Sequence, residues 1–301
     1  MGSCFAENIG RKLEENKFSV DINPFGTLYN PASVAEGLRM LLRPEYFTPG
    51  DLFQHEAYTI VLPIIAVSPL LEEECLGHIN SRLSESSDFL RKATRLVITL
   101  GTAFVYRLKS DGRIVSNCHK LPEKMFDRQR LSTQEIVEDW KPLLLALGTK
   151  SRLENLIYRK SDPPLKDGAH ENQLSKATLL LATDALQKDY PDRIAYFPAY
   201  EILMDELRDY RFYADDMLHP SPLAIDYIWQ RFIENFLSTD TSAILKEWGD
   251  IQKLLTKAFQ PDSEAYKRFI LQTLLKMERI SEKIPSFDIR KEIEIVKSKL
   301  K

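Results

Sequence analysis

The sequence predicts an α/β protein built on a parallel sheet covered on both faces, followed by a helical appendage. Three observations carry this expectation. Arg95-Leu-Val-Ile-Thr-Leu-Gly101 is a continuous apolar run that stops on glycine, as buried parallel strands ending at a ligand crevice do. Arg193-Ile-Ala-Tyr-Phe-Pro198 is a second strand-like run, and helical patterns stand before and after each, so strands alternate with helices. Beyond Thr239 the composition shifts to Lys, Glu, Leu and Ile with no strand pattern.

In chain order, Glu7 to Lys17 places Ile9 and Leu13 at helical spacing among charges and predicts an amphipathic helix. Phe18-Ser-Val-Asp-Ile22 alternates like a short strand, and Asn23-Pro-Phe-Gly26 breaks it with turn residues. Pro31 suits the first turn of a helix carried by Val34, Leu38, Leu41 and Leu42. A further helix is expected from Glu72 to Lys92. After the Arg95–Gly101 strand, Ala103–Leu108 and Arg113–Asn117 flank Lys109-Ser-Asp-Gly112 as a hairpin. Ser132-Thr-Gln-Glu135 is a capping box that opens a helix reaching Leu147, because Ser and Glu three apart satisfy each other's backbone donors. Helices follow at Asn172–Lys188, at Ala199–Leu207 and after His219-Pro-Ser-Pro222, where Ala224, Tyr227, Ile228, Phe232 and Phe236 share one face. The domain boundary is expected at 238/239, with 239–301 a solvated helical extension; a partner-binding helix pair is the alternative reading of that segment.

Composition limits function. The 41 basic and 44 acidic side chains nearly cancel to a formal charge of −3, so no basic field exists to hold nucleic acid or an anionic membrane surface. The longest apolar run, Ile60 to Leu71, contains two prolines and is far shorter than the roughly 20 residues of a membrane-spanning helix. Cys4, Cys75 and Cys118 are too few for a disulfide framework and lack metal-ligand spacing, which predicts a cytoplasmic chain without a metal. No pattern calls for a cofactor. The opening residues have neither the basic region nor the apolar core of a signal peptide.

Two places could carry chemistry. Of five histidines, His219 alone stands in a mechanistic spacing: Asp216-Met-Leu-His219 lets a carboxylate accept from one ring nitrogen and leaves the other for a nucleophile's proton. The plain alternative makes Asp216 a structural cap. Ser3 follows a glycine and precedes an amphipathic helix, whose free backbone N–H groups could face a developing oxyanion. Its plain alternative is an N-cap.

Gly2-Ser-Cys-Phe-Ala6, followed by Glu-Asn-Ile-Gly10, resembles the signature of the GSCFA family, which is placed within the SGNH (GDSL-like) hydrolase superfamily. Asn23-Pro-Phe-Gly-Thr-Leu-Tyr-Asn-Pro31, Gly101-Thr-Ala-Phe-Val-Tyr106, Asn117-Cys-His-Lys-Leu-Pro122, Asp167-Gly-Ala-His170, Asn172-Gln-Leu-Ser-Lys-Ala-Thr178 and Tyr213-Ala-Asp-Asp-Met-Leu-His-Pro-Ser221 are similar to that family's blocks, in its order. The resemblance covers Gly2 to Phe236. It implies a three-layer, flavodoxin-like α/β/α fold and an esterase or acyl-transfer reaction; it supplies no substrate, and a small-molecule or carbohydrate ester is expected only by analogy with the superfamily. It further implies Ser3 as nucleophile, His219 as base and Asp216 as its orienter. Gly26 is the candidate oxyanion glycine. The superfamily's oxyanion asparagine has no equivalent, because Ala103 stands in its place; the role passes to Thr102, Asn30 or another group, or is missing, and His119 and His170 are candidates for the pocket lining.

The chain also departs from the resemblance. Only Met1 and Gly2 precede Ser3, so the strand expected to hold the serine is missing. Ala57–Leu71 is apolar where a polar, histidine-containing loop is expected. Degenerate codons would let Thr59–Pro69 read in another frame as His-Ser-Phe-Thr-His-His-Ser-Arg-Phe-Ser, and Tyr158–Leu165 as Thr-Val-Ser-Pro-Ile-Arg-His. Both resemble family blocks, which predicts local frameshifts in the coding DNA and a spoiled strand before Asp167. A non-catalytic binding protein that keeps the fold is therefore the competing expectation.

Overall fold

The computed structural model describes residues 1–55, 58–61, 66–68, 72–116, 121–148, 152–156, 168–255, 264–284 and 287–298. They form two units: Met1–Gly10 with Asp21–Ile228, and Arg11–Val20 with Trp229–Lys301. The division falls inside a helix, ten residues before the boundary read from composition, and it assigns a short N-terminal segment to the second unit.

The first unit is mixed α/β. Helix α1 (Cys4–Glu15) starts directly after Ser3. Helix α2 (Pro31–Leu42) has Pro31 in its first turn and Asn30 as N-cap, the side chain accepting from the Ser33 N–H. Strands β1 (Leu52–His55), β2 (Tyr58–Val61) and β3 (Ala66–Ser68) form an antiparallel sheet. Ala57–Leu71, the apolar stretch standing where the resemblance would place a polar loop, contributes strand backbone at 58–61 and 66–68, and its other residues lie outside those described. Helix α3 (Glu72–Lys92) leads to β4 (Arg95–Ile98). Next come β5 (Phe104–Leu108), β6 (Ile114–Val115) and β7 (Phe126–Arg130), antiparallel in the order β6-β5-β7. The capping box at Ser132 and Glu135 opens α4 (Thr133–Ala146) as expected. Strand β8 (Arg152–Leu156) precedes α5 (Gly168–Asp189), β9 (Ile194–Phe197), the short α6 (Ala199–Glu201) and a π-helical turn at Ile202–Glu206.

The expected parallel sheet is present as β4-β8-β9, paired Arg95 to Arg152 and Leu153 to Ile194. The expected hairpin is present as the antiparallel β5–β6 pair, whereas the addition of β7 to it and the β1-β2-β3 sheet were not anticipated. Beside β4, Gly2 forms a parallel bridge with Thr99, and Thr99 N–H donates to the Met1 carbonyl at 3.1 Å. Met1 and Gly2 therefore extend the parallel ladder by one short segment and deliver Ser3 to the C-terminal end of β4. The core beneath is made by α2 (Val34, Leu38), β4 (Ile98), α4 (Ile136, Trp140, Leu144), α5 (Leu179, Leu186) and β9 (Ile194), all 0 to 3% exposed. Burying each of these large side chains contributes about 1.5–3 kcal/mol.

One expected strand is corrected. Phe18–Ile22 joins no sheet among the described residues. Lys17 has φ +65°, and the Phe18 N–H bonds to the Leu13 carbonyl at 3.0 Å, closing α1 with a left-handed C-terminal cap. The alternation of that segment follows the helix exit and not a β ladder. Arg152–Leu156 is the middle strand of the parallel ladder, while the window read as frameshifted, Tyr158–Leu165, lies outside the described residues.

The second unit is helical among its described residues. α7 (Pro222–Phe236) supplies its last turns, followed by α8 (Thr239–Leu255), α9 (Glu264–Lys283) and α10 (Arg290–Ser298). Trp248, 1% exposed, meets Phe287 edge-on at 5.6 Å.

Candidate functional site

Ser3 is placed by its neighbours on both sides. Gly2 has φ +140°, and an added Cβ would lie 2.1 Å from the Thr99 carbonyl oxygen, so only glycine allows the chain to approach β4 this closely. The Ser3 N–H then donates to Thr99 Oγ1 at 2.7 Å, and the Ser3 hydroxyl is 2.8 Å from the same oxygen. Ser3 is 0% exposed. Its hydroxyl is thus held by Thr99, and among the described residues no hydrogen bond joins it to His219.

The loop after α1 wraps this corner. Asn23 Oδ1 accepts the Gly2 N–H at 2.9 Å, and the Leu28 N–H donates to the Gly2 carbonyl at 2.9 Å. Gly26 sits in this loop with φ +74°, exposed, its N–H donating to the Asn23 carbonyl at 2.8 Å. That donor, expected for the oxyanion, is engaged within its own turn. Asn30 is 1% exposed and is a helix cap: Oδ1 accepts from Ser33, and Nδ2 reaches the Ser116 carbonyl at 3.4 Å. Thr102 Oγ1 accepts from the Phe104 N–H at 3.1 Å and lies 3.3 Å from Ser175 Oγ, while Ala103, fully buried, donates its N–H to Ser175. His170 is exposed in the first turn of α5, and His119 lies outside the described residues.

Asp216 and His219 are brought together. They occupy a tight loop before α7, closed by an antiparallel bridge between Tyr213 and Pro220 and by the Ala214 N–H donating to the His219 carbonyl at 2.8 Å. Met217 takes φ +58° at its tip. Asp216 Oδ1 accepts the backbone N–H groups of Leu218 and His219, both at 2.9 Å, and Oδ2 pairs with His219 Nδ1. The His219 backbone N–H, its imidazole and the Leu218 N–H hold the Asp216 carboxyl well below the usual carboxylate range. This carboxylate fixes the ring's orientation and leaves Nε2 as the nitrogen available to other groups. The cap reading and the orienter reading of Asp216 describe one geometry, since its two oxygens do both.

Two residues at this corner escaped the sequence reading. Thr99 lies inside an apolar strand and reads as a core position; its hydroxyl is legible only once Ser3 is seen beside it. Asn23 reads as a turn former, although an asparagine before Pro24 and three residues before a glycine is a constrained position. Among the described residues no cluster of three His, Cys, Asp or Glu side chains has metal-binding geometry, and no helix is long and apolar enough to cross a membrane.

A family model described as "GSCFA family" matches residues 1–232, and one described as "GSCFA domain protein, C-terminal domain" matches residues 248–301. No curated protein and no solved structure matches the chain.

Proposed function

The chain belongs to the GSCFA family, and from that premise we propose that it is an SGNH-type serine hydrolase, a three-layer α/β/α enzyme of the cytoplasm that hydrolyses or transfers the acyl group of an ester. Carbohydrate esters are the substrate class taken from the superfamily, an analogy of fold and not of site. The observation that carries the reading is the Asp216–His219 pair, a carboxylate kept ionised on Nδ1 of an imidazole whose Nε2 is left for proton transfer. In the proposed reaction Ser3 Oγ attacks the carbonyl carbon and its proton passes to His219 Nε2. The π electron pair moves onto the carbonyl oxygen; on collapse the ester C–O bond breaks and His219 returns the proton to the leaving alkoxide. Water, or an acceptor alcohol, then releases the acyl group by the same steps. Ser3 must turn its hydroxyl away from Thr99 to begin.

A fluorophosphonate probe tests the reading. Labelling of the full chain is expected, lost in Ser3→Ala, and turnover of short acyl esters is expected to fall about 10³-fold or more in His219→Ala. Labelling that persists in Ser3→Ala would remove Ser3 as nucleophile. One observation favours a second reading, a binding protein that retains the fold: Ser3 is wholly buried and engaged by Thr99. Absence of labelling and of turnover in the wild-type chain would establish it over the first.

A further inference from the structure

We infer that Asn23 is a catalytic residue of the same site, supplying the side-chain amide donor to the oxyanion that Ala103 lacks; this rests on the hydrolase reading above. Asn23 Oδ1 accepts the N–H of Gly2, the residue next to Ser3, at 2.9 Å. Because that N–H needs an acceptor, the contact fixes which end of the carboxamide is oxygen and leaves Nδ2 as its donor end. Nδ2 is buried and has no hydrogen-bond partner among the described residues. Buried donors are almost always paired, so an orphan on a side chain that binds the residue before Ser3 calls for an acceptor that the described residues do not supply.

Backbone strain marks the same residue. Asn23 has φ +42°, uncommon outside glycine and further disfavoured before a proline, which pushes its predecessor towards extended backbone. Two hydrogen bonds enforce it, from Gly2 to the side chain and from Gly26 to the carbonyl at 2.8 Å. Strain of this kind persists where surrounding contacts over-determine it, and it gathers at active sites. The other candidates are engaged: Asn30 caps α2 with Oδ1 and donates Nδ2 to the Ser116 carbonyl, Thr102 is bound to Phe104 and Ser175, and the Gly26 N–H is held by Asn23 itself.

The matching acceptor is the ester carbonyl oxygen as it gains charge. When the Ser3 Oγ–carbon bond forms, the π pair moves to that oxygen, and Asn23 Nδ2 donates a hydrogen bond to it without transferring a proton; the pair returns when the leaving group departs. Since Nδ2 and the Ser3 hydroxyl are both covered in the resting chain, substrate must open this corner to reach them.

Two variants of the full chain, assayed with p-nitrophenyl acetate and a fluorophosphonate, test the assignment. Asn23→Asp keeps an oxygen for the Gly2 N–H and removes the donor; Asn23→Gly accommodates φ +42° and removes the carboxamide. The expected result is Ser3-dependent turnover in wild type, with kcat lowered about 10²–10³-fold and KM nearly unchanged in whichever variant melts with wild type. Wild-type kcat in both variants would overturn the role of Asn23 and leave Ser3 standing. So would a loss that tracks a fall in melting temperature in both, which marks a structural role only. No Ser3-dependent turnover or labelling in the wild-type chain would overturn this inference together with the hydrolase reading.

Discussion

At Gly2 a single missing side chain sets the position of everything that follows. Its φ of +140° is foreign to L-residues, and a Cβ there would meet Thr99 O at 2.1 Å and Thr99 Oγ1 at 2.6 Å. Gly2→Ala must therefore push the chain off β4 and break the Ser3–Thr99 contacts with it. A loss of more than about 2 kcal/mol in urea unfolding is expected, from strain plus the newly unpaired Ser3 N–H. Unchanged unfolding would mean that Met1–Ser3 does not contribute to the ladder. Asp216 makes a second residue-scale prediction, on acidification. Its carboxyl is depressed in the folded chain, so the unfolded state binds the proton first, and the stability contributed by the ionised pair is complete above the ordinary carboxylate pKa of about 4. That contribution declines as pH drops from there through the folded pKa. Melting curves of wild type and Asp216→Asn should differ most above about pH 4 and draw together steadily as the pH falls below it. A gap that widens on acidification would contradict the sign.

At the scale of elements, what the sequence revealed depended on whether local pattern and tertiary partner agreed. The Ser132/Glu135 box, the Pro31 start and the apolar Arg95–Ile98 strand are local signals, and each element forms where its signal lies. Strand β7, Phe-Asp-Arg-Gln-Arg, carries no such signal, because what holds it is across the sheet: the Arg128 guanidinium lies 4.0 Å from the Phe104 ring centroid and 5.6 Å from that of Tyr106, and Phe126 meets Tyr106 edge-on at 6.2 Å. Arg-Leu-Glu-Asn-Leu of β8 is similarly polar, yet both its edges are paired, to β4 and β9. Phe18–Ile22 shows the converse, an alternation with no partner to use it. The site divides along the same line. Asp216 and His219, three residues apart, were readable together, whereas the convergence of Ser3, Asn23 and Thr99 joins residues 20 to 96 apart and is created by the fold.

For the whole molecule, the unexpected feature is that the second unit is not a continuous C-terminal segment. Arg11–Val20 belongs to it, and its contacts are specific: the Glu15 carbonyl accepts the Trp248 indole N–H at 3.3 Å, the Lys17 ammonium lies 5.9 Å from the centroid of that ring, and Lys17 pairs with Glu292 on α10. A fragment cut at Thr239 by composition keeps Trp248 and Phe287 but loses the strand of chain that satisfies the indole. Of the three tryptophans only Trp248 remains in such a fragment, so its emission reports this one site. Thr239–Lys301 expressed alone should emit to the red of a buried tryptophan and melt without a sharp transition, and fusing Arg11–Val20 ahead of it should shift both back. Blue emission and a cooperative melt in the bare fragment would show that the N-terminal segment is dispensable. Any partner proposed for these helices is therefore best sought with the full chain, where the face beneath Arg11–Val20 is already occupied.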